Sequence, residues 1–128
     1  MVTLIDTSAL YALLDASDLH HEKARTAWDQ LSDEDLVVHS YIVVESLVLV
    51  RARLGADAVN TLIDDLVPRL RVEMVEREVH AAALEQLRVI GGGTTFVDRV
   101  TLEFAKRREI NRCFAFDPDL IAAGLSPV

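Results

Sequence analysis

One cysteine in 128 residues leaves Cys113 without an internal disulfide partner, so packing must hold this fold together. A lone thiol also fits a reducing compartment. With only five glycines and three prolines, collagen-like and low-complexity structures are excluded. Long apolar runs are missing too. The stretch from Leu36 to Val50 is interrupted by His39 and Glu45 and is too short to cross a bilayer. The opening residues lack the basic segment and extended apolar core of a secretory signal. The expectation is a soluble, cytoplasmic protein forming one domain over residues 1–128, with no membrane partner. Positive charge is also scarce: 13 Lys and Arg face 21 Asp and Glu, for a net charge of −8. A general polyanion binder normally carries the opposite balance. The bases that exist cluster, Arg51 with Arg53 and Lys106-Arg107-Arg108 with Arg112, as solvated helix faces and ends or as local phosphate contacts.

Several chemistries lack their residues. His20 and His21 are adjacent, so on a helix they diverge by about 100° and do not share a metal. His39 and His80 are remote, and no HExxH pattern occurs; all four histidines read as structural or exposed. No Gly-Lys-Ser/Thr follows Gly91-Gly92-Gly93-Thr94-Thr95, and Ser8 has no Gly-x-Ser-x-Gly elbow. Cys113 sits in an apolar run and reads as core.

What remains is an apolar, regularly punctuated chain. Hydrophobic residues make up 51%, which excludes disorder. Val2 to Ile5, Leu36 to Val38, Leu70 to Val75 and Cys113 to Phe116 read as strands, the third at a sheet edge. Between them lie helical stretches from Ala9 to Leu14, from a cap at Ser17 or Asp18 to Leu31, and from His39-Ser40 to Leu54 before Gly55. Further helices span Ala56 to Leu66, Glu78 to Val89, and Thr95 to about Glu109; a short cap ends the chain. Strands alternating with helices imply an α/β sandwich around a mainly parallel sheet.

Four carboxylates stand where apolar sequence turns polar. Asp6 ends Val2-Thr3-Leu4-Ile5, and Asp117 ends Cys113-Phe114-Ala115-Phe116. Glu45 interrupts a helix whose neighbours Tyr41, Ile42, Val48 and Leu49 are apolar, and Asp98 lies in the first turn after Thr95. Each has a dull explanation: helix capping for Asp6, dipole compensation for Asp98, a turn before Pro118 for Asp117. One geometry accounts for all four, however. Sites in open α/β sheets gather beyond the carboxyl ends of strands, within reach of each acid. Converging carboxylates repel unless a divalent cation holds them, which points to magnesium or manganese. Asp119 is a weaker fifth candidate, read as a cap of the last turn.

The segment Val2-Thr3-Leu4-Ile5-Asp6-Thr7-Ser8-Ala9-Leu10 resembles the opening of PIN-domain ribonucleases, and the order of acids resembles their VapC-type toxins. Glu45 in Val43-Val44-Glu45-Ser46-Leu47, Asp98 in Thr95-Phe96-Val97-Asp98 and Asp117 in Ala115-Phe116-Asp117 fall at the matching places. Arg99-Val100 after Asp98 departs from the small residues often found there. The resemblance implies a PIN-like three-layer sandwich and a Mg2+- or Mn2+-dependent endoribonuclease, the toxin of a toxin–antitoxin pair. Its implied catalytic and metal-binding residues are Asp6, Glu45, Asp98 and Asp117, activating a water against an RNA phosphodiester, with supporting hydroxyls at Thr7, Ser8 and Thr95. It further implies structured RNA such as tRNA or rRNA as substrate, a cognate antitoxin, and a homodimer. Two rival readings are a non-catalytic PIN-like binding module and an aspartyl phosphoryl-transfer protein with Asp6 as acceptor. The latter lacks a second Asp two residues after Asp6 and a late lysine after a strand.

Overall fold

In the computed structural model, which describes all 128 residues, the strand segments form a five-stranded sheet ordered β3-β2-β1-β4-β5. The strands are β1 (Val2–Ile5), β2 (Asp35–His39), β3 (Arg71–Glu73), β4 (Arg112–Phe114) and β5 (Ser126–Pro127). Every pairing is parallel. Parallel strands need covering on both faces, and their side chains alternate accordingly. Ile5, Leu36, Val38 and Phe114 join one core, while Leu4, Val37 and Cys113 join the other. Helices α1 (Thr7–Leu14), α2 (His21–Gln30) and α3 (Ser40–Leu54) cover the first face; α5 (Arg77–Ile90) and α6 (Phe96–Arg107) cover the second. The expected three-layer α/β sandwich is what the chain forms.

Local chemistry explains the boundaries. Gly55 ends α3 with φ 90°, a conformation that glycine adopts freely, and α4 (Ala56–Thr61) follows at once. That helix widens over Leu62–Leu66 and tightens over Val67–Arg69, where Pro68 stops it. Arg99-Val100 is accommodated without distortion: Val100 is fully buried in the second core, and Arg99 Nε donates to Thr94 Oγ1 at 3.0 Å.

Three sequence expectations are corrected. Helix α2 starts at His21, not near Ser17, because Asp18 accepts the His20 N–H in a turn instead of capping a helix. Strand β4 stops at Phe114, since the Phe116 N–H leaves the ladder and donates to Ser8 Oγ at 2.9 Å. The C-terminal stretch is more than a cap: after α7 (Pro118–Ala122) it adds β5 to the sheet edge.

The chain winds outward from β1 to β3, then returns to place β4 on the other side of β1. The reversal therefore falls between β1 and β4. Beyond the carboxyl ends of these two strands lie Asp6 and Asp117.

Candidate metal centre

Asp6 caps α1, and Ser8 fixes it. Ser8 donates to Asp6 Oδ2 through its N–H at 3.2 Å and its hydroxyl at 2.7 Å. The same hydroxyl accepts the Phe116 N–H, so one serine ties the end of β1 to the loop after β4. The Asp6 N–H donates to Phe114 O at 3.1 Å, continuing the strand pairing one residue further. Asp6 is only 4% exposed, and burial pushes its carboxyl up to about 6, against the lowering effect of the Ser8 hydrogen bonds. The charges of Asp98 and Asp117 push in the same direction as burial.

Asp98 stands in the first turn of α6, where the Thr95 hydroxyl accepts the Asp98 N–H at 3.1 Å. Burial, and then the neighbouring Asp117 charge, raise its carboxyl above the usual range. Asp117 caps α7 by accepting the Asp119 N–H at 2.9 Å. Asp119 is therefore not the cap of the last turn; it stands in the first turn of α7, turned toward its neighbours. Asp98, Asp117 and Asp119 each offer a carboxylate oxygen, and these oxygens lie within 4.8 Å of one another. Glu45 enters from α3, whose start is fixed by His39: the Ile42 N–H donates to His39 Nδ1 at 3.3 Å, leaving Nε2–H for Thr101 Oγ1 at 2.8 Å. The buried His39 ring is held neutral by desolvation, with its pKa down to about 3.

The sheet edge thus brings Asp6, Glu45, Asp98 and Asp117 to one cleft of about 360 Å³, with Thr7, Ser8 and Thr95 on its walls. No Lys or Arg makes an ion pair with any of them. Half of the clustered bases are engaged elsewhere: Arg107 with Glu103 at 2.8 Å, Arg108 with Glu76 at 2.7 Å, and Arg112 with Glu34 at 3.0 Å. Arg53 is the only Lys or Arg lining the cleft, on the same helical face as Glu45 and Leu49, with its guanidinium 5.5 Å from the Tyr11 ring centroid. Tyr11, Asp18, His20, Leu49, Arg53 and Phe116 also line the cleft and were not marked as site residues in the sequence. The i, i+4, i+8 spacing of Glu45, Leu49 and Arg53 was the available signal for two of them.

Residues 3–124 match the PIN domain family. The chain belongs to that family. Among solved structures, this PIN domain is similar to the sarcin–ricin-loop-cleaving toxin VapC20 of Mycobacterium tuberculosis, at 27% identity with TM-score 0.87, covering 100% of this chain and 98% of that one. It shares its fold with FitAcB of Neisseria gonorrhoeae, at 19% identity and TM-score 0.72, covering 99% and 96% of the two chains. The same holds for VapBC2 of Rickettsia felis, solved with a promoter DNA fragment, at 10% identity and TM-score 0.74 with 100% and 98% covered. Among curated proteins none matches the chain significantly. The fold is that of the VapC-like toxins. No helix is long and apolar enough to cross a membrane.

Proposed function

We propose that this PIN domain is a magnesium- or manganese-dependent endoribonuclease and the toxin of a toxin–antitoxin pair. The observation that carries the reading is the unpaired acid set: in a PIN-family chain, carboxylates crowd one cleft, repel one another, and form no ion pair with any Lys or Arg of the chain. Such oxygen donors fit a hard divalent ion, which keeps several waters and needs few protein ligands. Asp98, Asp117 and Asp119 would hold it, with Asp6 and Glu45 completing the donor set. When bound, the ion supplies Lewis-acid charge to a phosphodiester and a more acidic water.

The remaining work falls to the chain. Ser8 occupies Asp6 Oδ2 and leaves Oδ1 without a hydrogen bond from the protein, so that oxygen is the one available to the cleft. Thr95 fixes the first turn of α6 and thereby the approach of Asp98. Arg53 supplies a positive group for an RNA phosphate that would otherwise enter a wholly acidic cleft. Structured RNA is the substrate class that this reading favours, and a cognate antitoxin would block the cleft with a basic side chain.

A homodimer belongs to the same proposal. An apolar hollow of about 660 Å³ runs between α3 and the start of α6, and Glu45 and Leu49 line both it and the acid cleft. Val44 and Val48 are 59% and 65% exposed there. A second copy covering this face would bring two acid clefts side by side. Val48→Lys should convert a dimer to monomer in sedimentation; a wild-type monomer would end this part of the proposal.

The nuclease reading is tested by incubating purified protein with total cellular RNA and magnesium or manganese, beside EDTA and Asp98→Asn controls. Defined fragments that require both metal and Asp98 support it. Cleavage that survives in Asp98→Asn contradicts it, and RNA binding without cleavage favours the binding-module alternative.

A further inference from the structure

Three of the four histidines are engaged through their rings. His39 bridges Ile42 and Thr101, His80 Nδ1 meets the Tyr41 hydroxyl at 2.6 Å, and His21 Nδ1 lies 2.7 Å from Ala12 O. His20 differs. Its ring makes no hydrogen bond within the chain, yet it lies flat on Phe116, with centroids 4.5 Å apart and planes within 4°. Both residues line the acid cleft. Their positions are fixed from below. The His20 N–H is held by Asp18 Oδ1 at 2.8 Å, and Phe116 is held through its N–H by the serine that fixes Asp6. Phe114 meets the Phe116 ring edge-on at 5.9 Å.

Phe116 also borders a second hollow of about 390 Å³, edged by Lys23 and Thr26 of α2, so its ring, with His20 stacked on the acid-cleft side, forms part of the ridge between two depressions. Immediately before His20 in the chain, Leu19 is 91% exposed. A rigid aromatic ridge beside a phosphodiester site, with Arg53 in one depression and Lys23 in the other, has the form of a stacking platform for single-stranded nucleic acid. Unpaired bases stack on such rings whatever their identity, while cations track the backbone.

We infer that His20, backed by Phe116, is the seat for one unpaired RNA base next to the scissile phosphate. The inference rests on the ribonuclease reading for its ligand. His20 acts here as a positioning residue: it sets the register of the strand, and its free ring nitrogens offer a polar edge to the neighbouring nucleotide. A splayed base held there would carry the adjoining phosphate over the acid cleft.

The test uses short single-stranded RNAs with 2-aminopurine at successive positions, bound to the full-length protein in calcium, with RNA integrity checked on a gel. Stacking should quench the probe at one position. His20→Ala should abolish that quenching and weaken binding about tenfold, and His20→Phe should restore both at an unchanged melting temperature. Phe116→Leu should behave as His20→Ala does. Absence of quenching at every position, or a His20→Ala protein that binds and quenches like wild type, overturns the seat. Cleavage of total RNA is scored separately. Protein that stacks a base yet never cuts with magnesium loses the nuclease reading and keeps the seat. Metal- and Asp98-dependent cleavage with wild-type quenching in His20→Ala keeps the nuclease and loses the seat.

Discussion

The two ends of the sheet carry acids of opposite character. At the amino end, Asp35 and Glu34 lie 2.9 Å and 3.0 Å from Arg71 and Arg112. Their carboxyls are held below the usual range, Asp35 chiefly by Arg71 and Glu34 by the Thr3 hydroxyl and then Arg112. At the carboxyl end, Asp6 and Asp98 are pushed upward by burial and by like charge, and no cation of the chain answers them. The same residue type is thus neutralised at one end and left in mutual repulsion at the other. Arg107 and Arg108, on and just past α6, are bonded to Glu103 and Glu76. The charge of the cleft is left without an ion-pair partner in the chain, and the divalent cation proposed above would balance it.

The largest expected effect breaks the comparison at its acidic end. Asp98→Asn should keep the fold by circular dichroism and lower RNA cleavage by at least about a hundredfold, since even groups supporting a metal ligand typically cost ten- to hundredfold. Next comes Asp6→Asn, in chelator at pH 7. Relieving a buried carboxylate raised from 3.8 to about 6 should stabilise the protein by up to roughly 3 kcal/mol in urea unfolding, and cleavage assayed separately with magnesium should be abolished. A less stable Asp6→Asn protein would mean that Asp6 is not under electrostatic strain.

A third prediction concerns pH, again without metal. His39 titrates near 3 in the fold against an ordinary 6.5, so the unfolded chain takes the proton first and stability falls as pH drops through that window. Asp6 titrates near 6 against an ordinary 3.8, so the folded chain takes the proton first and stability rises as pH drops from 6 to 3.8. The slopes oppose, each at most about 1.4 kcal/mol per pH unit. Removing one exposes the other: between pH 6 and 4, Asp6→Asn should lose stability more steeply on acidification than wild type. Parallel pH curves would count against one of the two shifts. The smallest effect lies at the amino end. Arg112→Gln should leave cleavage unchanged and move the melting temperature by a few degrees at most, as partly exposed ion pairs contribute little.

Much of this was legible in the sequence because it depends on local patterns. An apolar run ended by an acid marks a strand whose carboxyl end is polar, and that placed Asp6 and Asp117 at the same sheet edge. A glutamate surrounded by apolar helical neighbours marked Glu45, and Thr95 three residues before Asp98 marked the start of α6. What stayed hidden depends on contacts distant in sequence. Ser126–Pro127 is too short to read as a strand; it becomes β5 through its pairing with β4. The Phe116 N–H left its ladder for a hydroxyl 108 residues away, so the length of β4 was not visible locally. Asp119 looked like a cap because Asp-Pro-Asp offers two acids to one helix start; which one caps depends on the turn geometry. His20 meets Phe116 through the packing of the α1–α2 connection over the end of β4, which no periodicity announces.

The most direct test of the central claim is calorimetric titration of manganese into wild-type protein and Asp98→Asn, paired with melting curves. Wild type should bind manganese saturably and melt at a higher temperature with it, both effects being greatly weakened in the variant. Equal binding by the two proteins, or a wild type whose stability ignores the ion, would contradict it.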